Sequence, residues 1–571
     1  MNYKDIYKEW VNNGYFDEGF RNELKAIENN ESEVEDRFYK DLEFGTAGMR
    51  GIIGAGKNRI NKYIVRKASQ GFANYIKHAH GSENLSVAIA CDNRIKSDEF
   101  ALETALVMAA NGIKAYLFES LRTTPELSFA VRELNCQGGV MITASHNPPE
   151  YNGYKVYGAD GAQLIPVEAA KVVDEVSAVT SFESVLTMDE EIAKEKGLLE
   201  IIGEVVDKKY YACVKSLALN TSVYEEPLKV VYTPLHGTGA DAVKTVMHEM
   251  GVADLEFVEE QMVADEHFST CKKPNPEELQ AFDYAIEKGK QVNAELLIAT
   301  DPDCDRVGIV VKNSEGVFVP LNGNQTGALL VDYMLQAKTS VTNKDVVIKT
   351  IVTSDFGRNI AEDYGATVME VLTGFKFIGE KIKQFEESGS HNFVFGYEES
   401  YGYLAGTFVR DKDAVVTTML IIEMAKFYKR NGLTLVEALD QLYKKHGFYK
   451  EGLKSIYLEG KDGLEKMGRI MSNLRSEPFD KVSGESILEI IDCNASTIEN
   501  KNLGSVETLN LPKSNVLKYT FSDKSWFAVR PSGTEPKIKI YVSAIGENND
   551  LAEQKLKEIM EDVSDRLLSI G

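Results

Sequence analysis

Three carboxylates stand at alternate positions in Asp301-Pro302-Asp303-Cys304-Asp305-Arg306, between the apolar runs 296–299 and 307–311. On an extended segment, residues i, i+2 and i+4 share one face, and a slight curl brings their oxygens together. Unpaired, such oxygens repel one another, so a hard cation is their natural partner. An EF-hand is excluded by counting: Arg306 falls where that loop needs glycine, and Lys312 where it needs glutamate. Three carboxylates and an incoming phosphate oxygen suit Mg²⁺, and Arg306 could bind a second anionic oxygen. A solvated acidic turn is the plainer alternative, but the flanking apolar strands favour a metal.

Three more loops carry reactive or ligand-binding residue types. Thr143-Ala144-Ser145-His146-Asn147-Pro148-Pro149 follows the apolar run 139–142 and reads as a rigid, exposed turn with Ser145 near its crest. A serine can carry a phosphoryl group covalently if its oxygen is activated and the charge screened. If the strand geometry persists, adjacent side chains face opposite ways, and His146 does not easily reach Ser145. Taken alone, this loop fits a turn whose serine caps local backbone better than it fits a nucleophile. Gly396-Tyr397-Glu398-Glu399-Ser400-Tyr401-Gly402 offers acceptors and flat rings, as polyol binding needs, although a surface turn explains it equally well. Arg530-Pro531-Ser532-Gly533-Thr534-Glu535-Pro536-Lys537 combines hydroxyls, a glycine and an arginine fork, which favours a phosphate cradle over a plain hairpin turn.

Two further glycine-rich stretches fail closer inspection. Gly51 to Asn58 nearly spells a P-loop, but Asn58 replaces the Mg²⁺-binding hydroxyl and no clear apolar strand precedes it. Gly237-Thr238-Gly239-Ala240-Asp241-Ala242 fits a dinucleotide fingerprint, but Pro234-Leu235-His236 intervenes between strand and glycine.

The elements that position these loops follow a repeated grammar: a short apolar run, a loop of small and polar residues, then an amphipathic stretch. It appears at 86–91 with a helix after Lys96, at 228–233 with a helix after Thr238, and at 346–352 with a helical stretch after Ser354. Such alternation predicts mixed α/β layers with partly parallel sheets. Residues 1 to about 40 read as charged amphipathic helix. From about 447 to 515 the chain reads as polar and irregular; strands follow at 526–530 and 537–543, and a terminal helix at 549–568, together a smaller α+β domain.

With 571 residues, 43% hydrophobic and 27% charged, the chain is globular and long enough for roughly three to five domains. Its net charge of −24, from 64 Lys and Arg against 88 Asp and Glu, argues against nucleic acid and anionic membranes as partners. An anionic metabolite must then meet a local cluster of cations. The six cysteines are scattered without a C-x-x-C pair, which fits a reducing compartment, and no leader or membrane-spanning run is evident, so a cytoplasmic location is expected.

Taken jointly and in order, the T-A-S-H-N-P, D-P-D-x-D-R, G-x-E-E-S-x-G and R-P-S-G-T-E-P loops resemble the α-D-phosphohexomutase superfamily. The F-G-T-A-G-M-R-G stretch at 44–51 and the helical N-terminus are most similar to the branch that holds bacterial phosphoglucomutases and phosphopentomutase-like enzymes. The resemblance implies an α/β protein of four domains around a central cleft: three mixed α/β sheet domains of related topology and a C-terminal α+β domain. The corresponding boundaries here are 1–205, with a helical extension and the serine loop, 206–318 with the metal loop, 319–446 with the sugar loop and 447–571 with the phosphate loop. It implies that Ser145 is a phosphoserine and that Asp301, Asp303 and Asp305, with its phosphate, hold Mg²⁺. It also implies that Glu398 and Ser400 grip sugar hydroxyls, and that Arg530, Ser532, Gly533 and Thr534 hold the phosphate that does not react. Arg50, His146, Lys155, Arg306 and Lys412 match positions near the reacting groups, with Lys155 or an inward-turned His146 as general acid/base. Thr373-Gly374-Phe375-Lys376 resembles the family's sugar-discriminating loop. Pro149 and Glu150 depart from the glycines of some relatives, and Cys304 adds a thiol that could sensitise the metal loop to oxidation or soft metals.

The implied reaction interconverts glucose 1-phosphate and glucose 6-phosphate through a glucose 1,6-bisphosphate intermediate, with pentose or mannose phosphates as alternative substrates. A monomer or homodimer acting on small sugar phosphates is expected. A non-catalytic sugar-phosphate sensor would be expected to lose Ser145 or a metal-loop aspartate, and all are present; a Mg²⁺ phosphatase would release inorganic phosphate and need no bisphosphate.

Overall fold

The computed structural model describes residues 2–45, 48–458, 460–532 and 537–570. The chain forms two compact units, one of Met1–Gly323 with Phe375–Leu435, the other of Asn324–Gly374 with Val436–Gly571.

The first unit opens with three short helices, Tyr3–Asn12, Glu18–Ala26 and Glu31–Phe38, where the sequence reads as one amphipathic stretch. Asn-rich breaks separate them, and two asparagines serve as caps: Asn2 accepts from the Lys4 N–H and Asn30 from the Glu33 N–H. Their apolar faces bury Trp10, Leu24 and Phe38, with Phe16 from the link between the first two helices, in one cluster with Tyr63 and Ala55. Trp10 stacks on Phe16 at 4.1 Å and meets Phe182 edge-on at 5.5 Å. Each buried ring of this size contributes about 1.5–3 kcal/mol of transfer free energy.

A six-stranded mixed sheet follows, in the spatial order Met49–Ile52, Tyr151–Gly158, Gly138–Ile142, Ser86–Cys91, Lys114–Phe118, Leu199–Ile202. The last four run parallel; Gly138–Ile142 and Ser86–Cys91 at the centre are wholly buried, as their continuous apolar runs predict for strands covered on both faces. Tyr151–Gly158 joins antiparallel and carries Lys155 opposite Met141. The second sheet repeats the scheme, in the order Phe318–Leu321, Val307–Lys312, Leu296–Thr300, Val230–Thr233, Leu255–Phe257. Its antiparallel pair, Leu296–Thr300 and Val307–Lys312, is the hairpin whose tip is the carboxylate loop. A second hairpin, Asn392–Glu398 with Gly402–Ala405, carries the Glu398–Ser400 loop in the same unit.

In the second unit Asp345–Thr350 pairs in parallel with Thr367–Val371, just ahead of Thr373. The region 447–515 is not irregular. It contains the ten-residue strand Phe448–Tyr457, the helix Gly460–Ser476 and the strands Lys481–Val482, Glu485–Asp492, Thr497–Asn500 and Ser505–Thr508. The polar appearance arises because these elements are half-exposed. Phe448–Tyr457 buries only Tyr449 and Ile456, yet pairs along its whole length with Lys537–Gly546. The helix Gly460–Ser476 buries Ile470, Met471 and Leu474 against that antiparallel sheet, as does the terminal helix Asn549–Ser569 through Ile559, Val563 and Leu567.

Candidate active site

Ser145 follows the strand Gly138–Ile142, and its φ of 52° is left-handed. This ends the strand alternation and overturns the expectation that His146 points away: His146 Nδ1 lies 3.2 Å from Ser145 Oγ. Nor is Ser145 exposed at the crest of a turn, since only 3% of its surface is accessible. The cause is Arg94, which sequence reasoning missed. Its guanidinium donates to the carbonyls of Ser145 and Asn147 at 2.5 Å each, Pro148 at 2.8 Å and Tyr151 at 3.0 Å. The arginine is held beside Asp92, whose carboxylate also accepts from Thr143 Oγ1 at 2.6 Å. The signal was a Cys91-Asp92-Asn93-Arg94 run at the carboxyl end of a predicted parallel strand, where α/β sheets build their sites.

Asp301, Asp303 and Asp305 are all buried, and each offers an oxygen within 4.8 Å of the others. The left-handed φ of Cys304, 54°, supplies the curl that gathers them. Asp301 Oδ2 accepts from Ser145 Oγ at 2.7 Å, and Oδ1 from the N–H groups of Asp305 and Arg306. Asp303 Oδ2 takes Lys155 at 2.6 Å and Thr124 Oγ1 at 2.8 Å. Asp305 Oδ2 takes Lys412 at 3.1 Å and Lys155 at 3.3 Å. The remaining oxygens, Oδ1 of Asp303 and of Asp305, are buried without a hydrogen-bond partner. Unsatisfied buried carboxylate oxygens are costly, and a hard cation removes that cost, so these residues fit a metal ion. Cys304 does not belong to this group. Its thiol is fully buried beside Gly239 and Thr300, and burial, with the Asp301 charge, pushes its pKa well up, so it is not the exposed thiolate that oxidants and soft metals attack most readily.

The charges in the site sort themselves by environment. Burial and the neighbouring Asp303 and Asp305 push the Asp301 carboxyl well above its ordinary range. Asp305 is equally buried, but Lys412, Lys155 and Arg306 outweigh burial and hold it well below that range. Lys155 and Lys412 stay protonated because the aspartates overcome their desolvation. Burial, then Arg306 and Arg50, drives His146 far below its usual value, so the imidazole is neutral.

The third loop is stitched to the second. The Val307 N–H donates to the Tyr401 carbonyl at 3.1 Å, and Arg306 donates to the Ser400 carbonyl at 3.1 Å and to Glu277 at 2.5 Å. Gly402 is required because the stem of Lys412 lies where a Cβ would be, 2.2 Å away. Glu398 is buried beside these groups, and Arg50 donates to Asn147 Oδ1 at 2.9 Å. The structure therefore brings Ser145, His146, Lys155, Arg50, Arg306, Lys412, Glu398, Ser400 and the three aspartates into one neighbourhood. Thr373, Gly374, Arg530 and Ser532 belong to the second unit. There the Thr373 Oγ1 is buried without a partner, Gly374 has a φ of 118°, and Arg530 lies on the strand Trp526–Pro531. Gly533 and Thr534 lie outside the described residues. The apparent dinucleotide fingerprint serves the metal loop instead: Thr238 donates from its N–H and its Oγ1 to the Pro302 carbonyl, at 2.8 and 3.0 Å. A Cβ on Gly237 would strike Pro302 at 2.4 Å.

Three α/β/α domain models of the phosphoglucomutase/phosphomannomutase family match residues 41–183, 208–316 and 322–446, and the family's C-terminal domain model matches 492–562. The chain belongs to the phosphoglucomutase/phosphomannomutase family, and with it to the isomerases of the phosphohexomutase type. Among its curated relatives is the phosphoglucomutase of Staphylococcus haemolyticus, 39% identical over 523 residues, which cover 91% of this chain and 94% of the relative. A Staphylococcus aureus phosphoglucomutase is 40% identical over 532 residues, 92% of this chain and 94% of the relative. Solved structures share the fold at lower identity. Parafusin from Paramecium gives a TM-score of 0.68 at 17% identity, covering 93% of this chain and 96% of that one. A phosphoglucomutase/phosphomannomutase family protein from Burkholderia thailandensis gives 0.66 at 18%, covering 92% and 97%. Among the described residues, no helix is long and apolar enough to cross a membrane.

Proposed function

We propose that the enzyme interconverts α-D-glucose 1-phosphate and glucose 6-phosphate through a phosphorylated Ser145 and a glucose 1,6-bisphosphate intermediate. The observation that carries this reading is the buried Ser145 Oγ, 2.7 Å from Asp301 and 3.2 Å from a neutral imidazole, beside carboxylate oxygens that lack partners. Asp301, Asp303 and Asp305 are the residues that would hold Mg²⁺, together with an oxygen of the Ser145 phosphate. When bound, the ion supplies Lewis-acid charge stabilisation at the moving phosphoryl group.

The sugar hydroxyl attacks phosphorus, the bond from phosphorus to Ser145 Oγ breaks, and one proton passes, net, from the hydroxyl to Oγ. His146, held neutral and next to Oγ, is suited to move the proton at the serine end. Lys155, held protonated by two aspartates, is suited to offset developing negative charge, as are Arg50, Arg306 and Lys412. The bisphosphate then presents its other phosphate, and the same step runs in reverse. Glu398 and Ser400, with Thr373 and Gly374, are assigned to the sugar, and Arg530, Ser532, Gly533 and Thr534 to the phosphate that does not react.

The test is kcat/KM for glucose 1-phosphate, mannose 1-phosphate and ribose 1-phosphate, with Mg²⁺ and a trace of the matching bisphosphate. Glucose 1-phosphate is expected to win, with dependence on both additions. Preference for another sugar overturns the glucose assignment, and turnover without any bisphosphate overturns the intermediate. Ser145→Ala should lower kcat by at least about a thousandfold with an unchanged circular dichroism spectrum; residual activity of more than a few per cent would refute the covalent role.

A further inference from the structure

The Arg94 guanidinium that shapes the serine loop has its donors committed within its own plane. Nη2 serves the Ser145 and Asn147 carbonyls, Nη1 those of Pro148 and Tyr151, and Nε faces Asp92 at 3.3 Å. Such a fork is well fixed in its plane, but hydrogen bonds weaken only slowly with small angular changes, so they resist a tilt out of the plane poorly. What limits the tilt must press on a face of the guanidinium. Phe268 does this: the Arg94 guanidinium carbon lies over its ring, 5.1 Å from the centre. At that range the ring face attracts the cation, and with Phe268 only 1% exposed the attraction is little weakened by water.

Phe268 does not belong to the serine-loop layer. Arg94 falls in the stretch matched by the first α/β/α domain model and Phe268 in that matched by the second, both within the first compact unit. The turn that presents the ring is strained and framed. Phe268 has a left-handed φ of 47°, which is unfavourable for a bulky side chain. Asp265 holds it there. Its carboxylate accepts from the N–H groups of His267 at 2.9 Å and Ser269 at 2.8 Å, one on each side of Phe268, and its carbonyl accepts from the Phe268 N–H at 3.2 Å. The same carbonyl accepts from Asn93 Nδ2 at 2.9 Å, next to Arg94 in the chain. His236 ties the flanks of the turn together, meeting the Val263 carbonyl at 2.8 Å and Thr270 Oγ1 at 2.7 Å. A residue that only fills a core needs neither the left-handed angle nor this frame.

We propose that Phe268 is a positioning residue for Ser145: its ring face sets the tilt of the Arg94 guanidinium, and that tilt sets where the serine loop holds its hydroxyl. The proposal rests on the reading of Ser145 as the phosphoryl carrier. It makes the alignment of the nucleophile depend on a segment of the neighbouring domain.

The test replaces Phe268 in the full-length protein with phenylalanines bearing one, two and three ring fluorines, which drain charge from the ring face while nearly preserving its shape, and separately with methionine, which keeps apolar bulk without a ring. Phe268→Met should lower kcat about tenfold with KM unchanged, because the misplaced group acts on the reacting atom and not on ground-state binding. Along the fluorine series kcat should fall stepwise. Hydrogen exchange of the serine loop, where the Ser145 N–H is held by Thr143 Oγ1 at 2.8 Å and the Asn147 N–H by the Ala144 carbonyl at 3.1 Å, should speed up in the same order. An exchange rate indifferent to fluorine count, as a plain apolar filler gives, would overturn the proposal, and so would wild-type kcat in Phe268→Met. Should Phe268→Met fail to fold, the fluorinated series decides alone. The exchange measurement needs no substrate, so its result stands apart from whether the enzyme turns over glucose phosphates.

Discussion

A single backbone angle determines which side chains surround Ser145. At a φ of 52° the residue turns its hydroxyl toward Asp301 while allowing His146 to face the same oxygen. Non-glycine residues tolerate this region at a cost of about 1–2 kcal/mol, and β-branched residues tolerate it worst. Ser145→Thr keeps a hydroxyl but adds branching at that angle, so it should lower Tm by about 1–3 °C and reduce kcat by at least about tenfold. Measuring both by calorimetry and steady-state assay checks this, and an unchanged Tm would show that the loop relaxes at no cost. The residue types of the site were legible in the sequence because carboxylates at alternate positions between apolar runs have few other uses. The direction of His146 was not, because it depends on the sign of a dihedral set by Arg94, whose four carbonyl partners lie 51 to 57 positions away.

Elements were legible where they are buried on both faces. The strands Ser86–Cys91, Leu296–Thr300 and Asp345–Thr350 are wholly buried and stand out as apolar runs. The strand Phe448–Tyr457 has only two buried residues, and its identity rests on pairing with a segment about ninety residues later, so local pattern does not reveal it. A second tertiary device belongs to this scale. Lys349 is fully buried in the strand Asp345–Thr350, where it meets Glu370 at 2.6 Å and Asp355 at 3.1 Å, and Lys518 reaches Glu370 at 3.4 Å. Burial opposes ionisation of Glu370, but Lys349 and Lys518 prevail and hold its carboxyl down to about 2, against an ordinary 4.5. A depressed carboxylate stabilises the fold fully above its unfolded value, and that stability is lost as pH falls through the folded value. The wild-type Tm should therefore decline between about pH 4.5 and 2. Glu370→Gln should cost about 3 kcal/mol at pH 7 and show a shallower decline in the same window, as read by thermal melts across pH. Parallel curves for the two proteins would remove Glu370 from the account.

For the whole molecule, the net charge of −24 works against an anionic substrate, and the cations of the site act only at short range. At low ionic strength the repulsion extends tens of ångströms, whereas at 0.15 M salt it reaches about 8 Å. The expected outcome is that kcat/KM for glucose 1-phosphate rises as NaCl is raised to about 0.1 M. A monotonic fall would mean that the local cations dominate the approach.

The order of the chain through its two units also has a consequence for synthesis. The first unit is made of Met1–Gly323 and Phe375–Leu435, so a ribosome must deliver part of the second unit before the first is complete. Glu423 shows what waits. Its carboxylate accepts from the N–H groups of Leu219 and Asn220 and from the Tyr224 hydroxyl, partners made 204 to 199 residues earlier. At typical elongation rates of about 5–20 residues per second, those donors spend roughly 10–40 s without it. The nascent protein must therefore keep an unfinished layer in solution for that interval, which makes the pace of translation through this stretch part of how the enzyme is made.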